Sequence, residues 1–125
     1  MKIAIVMPAG ADQRSGNRHT AQRWARFLRC LGHRVSVADE WTGGNASVLI
    51  ALHARKSHSS IERFQRERPG VPLVVVLTGT DLYRDIASSA EARHSLEMAS
   101  RLVVLQERGA RELAVCHRAK TRVIY

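Results

Sequence analysis

The chain has 125 residues, enough for one domain that buries its own core without disulfide or metal staples. Apolar residues make up 45% and charged residues 25%, a composition that excludes a disordered chain. Twenty Lys and Arg stand against eleven Asp and Glu, a net charge of +9, and only Lys2, Lys56 and Lys120 are lysines. An arginine-rich surplus suits bidentate contacts to phosphate, in a small molecule or in nucleic acid. Six aromatic residues leave little for the stacking platforms of single-strand binders.

Ile3 to Met7 is an apolar run closed by Pro8 and Gly10, and it reads as a strand buried on both faces. It is too short for a signal peptide, and no stretch is long enough to span a membrane. From Thr20 a helical period begins, with Ala21, Trp24, Ala25, Leu28 and Leu31 on one stripe and Arg23, Arg26 and Arg29 off it. Gly32 is placed as the left-handed cap of that helix. His33 to Ala38 predicts a second strand, Gly43-Gly44-Asn45 a turn, and Val48 to Leu52 a third strand.

Ser59-Ser60-Ile61-Glu62 has capping-box spacing and predicts a helix that runs to Arg68 and stops at Pro69-Gly70. Leu73 to Leu77 predicts a fourth strand. Ser88-Ser89-Ala90-Glu91 repeats the capping-box spacing ahead of a helix through Leu96 and Met98. Leu102 to Leu105 predicts a fifth strand, Gly109 to Val115 a short helix or turn, and Arg122 to Ile124 the start of a sixth strand. Trp24, Phe27 and Trp41 are expected to be packing residues. Cys30 and Cys116 have neither C-x-x-C nor zinc-like spacing, so inert thiols in a reducing cytoplasm are expected.

Strands that are continuous Val/Ile/Leu runs, alternating with helices, predict an α/β fold: a parallel sheet covered on both faces and joined by right-handed crossovers. Ligands of such sheets sit beyond the carboxyl ends of the strands, where the strand order reverses. After the first strand the chain carries Ser15, Gly16, Asn17, Arg18, His19 and Thr20 into a helix start, where free N–H groups and the helix dipole favour an anion. This is neither a dinucleotide fingerprint nor a P-loop. The competing reading is a polar loop in which Asn17 or Thr20 caps the helix.

After the third strand come His53, Arg55, Lys56, Ser57 and His58, donors for an anion or a solvated basic turn. No carboxylate or thiolate beside His53 and His58 completes a metal set, so no metal is expected there. After the fourth strand, Gly79 permits close backbone approach, Thr80 offers a hydroxyl and Asp81 a base or an orienting carboxylate. An Asx turn is the plainer reading of that segment.

These clusters, as Ser15-Gly16-Asn17-Arg18-His19-Thr20, Ala51 through His58 and Leu77-Thr78-Gly79-Thr80-Asp81-Leu82-Tyr83-Arg84-Asp85-Ile86, resemble the amino-terminal domain of the selenosugar synthases of selenoneine biosynthesis. Leu102 to Gln106 and Arg118 to Tyr125 extend the similarity over nearly the whole chain in one register. A lone Gly-Thr-Asp recurs across family-four glycosyltransferases; the ordered set is specific. The resemblance implies a GT-B architecture of two Rossmann-like domains, with residues 1–125 forming the amino-terminal, acceptor-side one and a second, donor-binding domain absent from this chain. Without that carboxyl-terminal domain the chain is expected to be inactive alone.

It further implies transfer of a sugar from a UDP-sugar to selenophosphate, giving a selenosugar; no cofactor, no nucleic-acid partner and no membrane anchor are expected. On that reading Ser15, Gly16, Asn17, Arg18, His19 and Thr20 hold the anionic acceptor and Arg55, Lys56 and Ser57 face them. Gly79 and Thr80 line the third strand end, with His53 and Asp81 as candidate catalytic groups. The alternatives are a family-four glycosyltransferase domain with a hydroxyl acceptor and a non-catalytic module that binds anions or nucleic acid. Residues 1–68 hold 12 Lys and Arg against 5 Asp and Glu, and residues 69–125 hold 8 against 6. The surplus thus lies with the first two clusters, which favours a small anion.

Overall fold

A computed structural model describes residues 1–8, 16–78, 85–106, 109, 113 and 115–124. Six strands, β1 (Lys2–Val6), β2 (Arg34–Ala38), β3 (Val48–Leu52), β4 (Leu73–Leu77), β5 (Arg101–Val104) and β6 (Thr121–Val123), form one sheet. Every pairing is parallel and the order is β2-β1-β3-β4-β5-β6. The helices are α1 (Gly16–Cys30), α2 (His58–Glu67), α3 (Ile86–Ser88), α4 (Ala90–Met98) and α5 (Val115–Arg118). This is the expected Rossmann-like α/β fold, with each strand within a residue or two of its predicted bounds. No helix among the described residues is long and apolar enough to cross a membrane.

Alternation along the strands sorts the core into two layers. Ile3, Ile5, Ile50, Leu52, Val76 and Val103 face Ala21 and Ala25 of α1. Val6, Leu49, Ala51, Val75, Leu77, Leu102 and Val104 face the opposite layer, with Ile61 and Phe64 of α2 and Ala92 and Leu96 of α4. The segment after β2 has no helix, and Trp41 does the packing there. Its ring meets Phe64 edge-on at 5.1 Å and lies under Arg63, and the Trp41 backbone N–H donates to Ser60 Oγ at 3.1 Å.

Several local expectations are corrected. The α1 helix begins at Gly16, a turn before the predicted Thr20, because its first turn is polar and adds nothing to the apolar stripe. Phe27 and Leu31 are exposed, since the sheet offers α1 only enough surface for Ala21 and Ala25 and part of Trp24 and Leu28. Phe27 instead borders an open apolar groove of about 640 Å³ with Trp24, Val103 and Ile124. The Ser59–Glu62 capping box is not used: α2 starts at His58, and its N-cap Ser57 turns its hydroxyl to the Leu52 carbonyl. In the second box the cap is Ser89, accepting from the Ala92 N–H, one residue past the predicted Ser88, which ends the short α3. Gly32 does cap α1, with φ +94° and the His33 N–H on the Leu28 carbonyl. Most of the Gly109–Val115 turn lies outside the described residues.

Lys120 closes the carboxyl end of α4. Its Nζ donates to the carbonyls of Leu96 (2.6 Å) and Ala99 (2.8 Å), where the helix leaves acceptors without intrahelical partners. The same ammonium helps lower the pKa of His117: partial burial acts first, Lys120 adds to it, and Glu97 opposes. Lys120→Met is expected to cost about 1–2 kcal/mol in urea unfolding. It is also expected to raise the His117 titration midpoint by NMR; an unmoved midpoint would contradict the pairing.

Candidate functional site

The strand order reverses between β1 and β3, so the crevice of interest lies beyond Val6 and Leu52. The turn from β3 into α2 runs through His53, Ala54, Arg55, Lys56 and Ser57. His53 adopts φ +77°, a left-handed conformation that costs a non-glycine residue about 1–3 kcal/mol. Backbone bonds hold it there: its N–H donates to the Val76 carbonyl at 2.9 Å, and its carbonyl accepts the Ser57 N–H at 3.1 Å. Its Nδ1 accepts the Lys56 N–H at 3.0 Å, which assigns the proton of the neutral ring to Nε2.

That Nε2 faces Asp85 Oδ2 at 3.7 Å, and Arg55 Nε donates to the same oxygen at 2.9 Å. His53 and Asp85 are buried, whereas the Arg55 side chain is 38% exposed. The network ties the second cluster to the third: Asp85 belongs to the segment after β4. Two serines fix the turn from below, Ser57 Oγ donating to Leu52 O at 2.5 Å and Ser95 Oγ of α4 to Ala54 O at 2.6 Å.

Arg18 and His19 are exposed in the first turn of α1, which carries no acidic residue, and Thr20 beside them is half-buried. Gly16 and Asn17 open that helix. The amino-terminal turn of a helix and two basic side chains therefore coincide. Lys56 is exposed and lines a polar pocket of about 400 Å³ with Pro8, Asp39, Glu40, Ser59 and Ser60, at the ends of β1 and β2 and the first turn of α2. Ser15, Gly79, Thr80 and Asp81 lie outside the described residues.

Of the predicted site residues, His53, Arg55, Lys56 and Ser57 share one turn, with His53 and Ser57 beneath the surface and Arg55 and Lys56 at it. Asp85, Asp39, Glu40 and Ser59 were not among the predicted site residues. Asp85 stands inside the segment quoted after the fourth strand, but its partner Arg55 is thirty residues away and no spacing rule joins them. Asp39 and Glu40 directly follow the second strand, and the residues after them, Trp41-Thr42-Gly43-Gly44, carry no basic side chain that would mark the position. Chemically, the described residues offer guanidinium, imidazole and ammonium donors of the kind that suit anions, with the Asp39 and Glu40 carboxylates beside Lys56. The sequence matches no known family model and no curated protein.

Proposed function

We propose that the chain is the acceptor-side domain of a glycosyltransferase that moves a sugar from a UDP-sugar to selenophosphate, giving a selenosugar. The observation that carries this reading is the placement of basic residues on both elements that follow the strands flanking the order reversal. Arg18 and His19 stand on the helix that follows β1, and Arg55 and Lys56 stand on the turn that follows β3. Selenium attacks the anomeric carbon as its bond to the UDP oxygen breaks; water then cleaves the phosphorus–selenium bond and releases phosphate. Selenophosphate is an anion and brings its own nucleophile, so positioning and charge compensation against the donor's pyrophosphate are the main demands. Arg18 and His19 meet the acceptor oxygens. Lys56 and the outer edge of Arg55 form the facing wall, and the His53–Asp85–Arg55 network keeps that wall in place.

The test supplies this domain joined to a donor-binding domain, with UDP-sugar and either selenophosphate or a sugar hydroxyl acceptor. Release of UDP and phosphate in step with a selenosugar, detected by mass, is expected. Glycosylation of the hydroxyl acceptor alone would replace this reading with that of a family-four enzyme, and turnover of neither would overturn both.

A further inference from the structure

We infer that His58, Glu62 and His94 form a binding site for a divalent transition metal of the zinc, nickel or cobalt kind, clamped between α2 and α4. His58 opens α2, and Glu62 follows it by one helical turn, so both side chains share a face. His94 comes from α4, which lies beside α2 on the same face of the sheet, their buried residues Phe64 and Leu96 belonging to one core layer. His58 Nε2 is 3.0 Å from His94 Nδ1 and 3.7 Å from Glu62 Oε2. One ligand atom from each of the three residues lies within 4.8 Å of the others. An ion with donors at about 2.0–2.1 Å in a tetrahedral shell separates those donors by about 3.3–3.4 Å, so small side-chain rotations complete the set.

A fourth group strengthens the assignment. Glu91, in the first turn of α4, places its Oε2 4.0 Å from the other ring nitrogen of His58, Nδ1. A metal-binding histidine characteristically gives its second N–H to a carboxylate, which fixes the tautomer and the ring orientation. Here Nε2 lies toward the two other ligands and Nδ1 lies on the Glu91 side, where a side-chain rotation that closes the 4.0 Å gap by about 1 Å lets the carboxylate accept the second N–H. Two imidazoles and one carboxylate favour zinc-like ions over magnesium or calcium, which take oxygen ligands. The His58 side chain is 16% exposed and that of Glu62 49%, so the site is anchored on the protein side and open to solvent for a bound water.

The expectation of no metal at His58, which rests on pairing it with His53, is corrected here: Glu62 lies one helical turn from His58, and His94, thirty-six residues away, joins them only through the packing of two helices. The site stands independently of glycosyl transfer and is tested without it. The chain, free of any polyhistidine tag and stripped with chelator, is titrated with zinc while its thermal unfolding is followed, and with cobalt while its visible spectrum is followed. Saturating zinc is expected to raise the unfolding midpoint by about 5 °C or more, because the ion binds only the folded arrangement of the two helices. Cobalt is expected to give visible ligand-field bands. His94→Ala and Glu62→Gln, both at exposed positions, are expected to lose both signals; Glu91→Gln weakens binding by about 10-fold or more; His33→Ala changes neither. No shift and no bands at millimolar metal would overturn the assignment, as would wild-type binding by His94→Ala.

Discussion

Arg18→Ala, in an enzyme that joins this domain to its donor-binding domain, is expected to lower kcat/KM for selenophosphate by about 10²-fold or more. The acceptor carries formal negative charge up to the reacting selenium, and the donor carries a pyrophosphate. Bringing the two together is opposed by charge unless fixed cations stand between or beside them. On the proposed function Arg18 supplies a planar fork able to meet two oxygens at once, and its charge stands at the helix start of α1. The side chain is exposed, and alanine is a better helix former than arginine, so stability is expected to change by no more than about 0.5 kcal/mol. The loss therefore falls on the acceptor, with KM for the UDP-sugar little changed. Arg18→Lys restores part of the activity, retaining the charge without the fork. Kinetics of Arg18→Ala within twofold of the unaltered enzyme would remove this residue from the site.

The strands were legible because each is a short Val/Ile/Leu run bounded by Gly, Pro or polar residues, and a parallel sheet buried on both faces requires such runs. What escaped was set by tertiary pairing. The first turn of α1 carries no apolar residue, so periodicity begins one turn late and places Arg18 and His19 in a loop, whereas they stand on the helix itself. The capping-box rule places the start of α2 at Ser59, whereas the helix begins at His58 behind Ser57, whose hydroxyl goes to the Leu52 carbonyl at the end of β3. The rim clusters were visible as residue types. That His53 is a buried, left-handed residue with its ring shared between Lys56 and Asp85 follows only from the neighbouring β4 strand and the segment after it. Likewise, His94 gains meaning only when α4 is laid beside α2.

The Arg55–Asp85 pair yields the second large effect, and its sign depends on which partner is removed. The Asp85 side chain is 7% exposed, whereas that of Arg55 is 38% exposed. Removing Arg55 takes a charged donor from a carboxylate that water reaches poorly, and breaking a buried pair from that side is expensive. Removing the carboxylate leaves a guanidinium that can turn toward solvent and recover its hydration. Arg55→Met is therefore expected to destabilise the domain by about 2–3 kcal/mol, and Asp85→Asn, which keeps the shape of the side chain, by about 1 kcal/mol. Urea unfolding of the two variants reads the difference directly as a larger fall in midpoint for Arg55→Met at unchanged m. Equal losses, or the reverse order, would mean that Asp85 is held chiefly by other groups and that Arg55 is free to serve the rim alone. The expected order instead makes the outer face of Arg55 the available part and Asp85 the fixed point against which it is aimed.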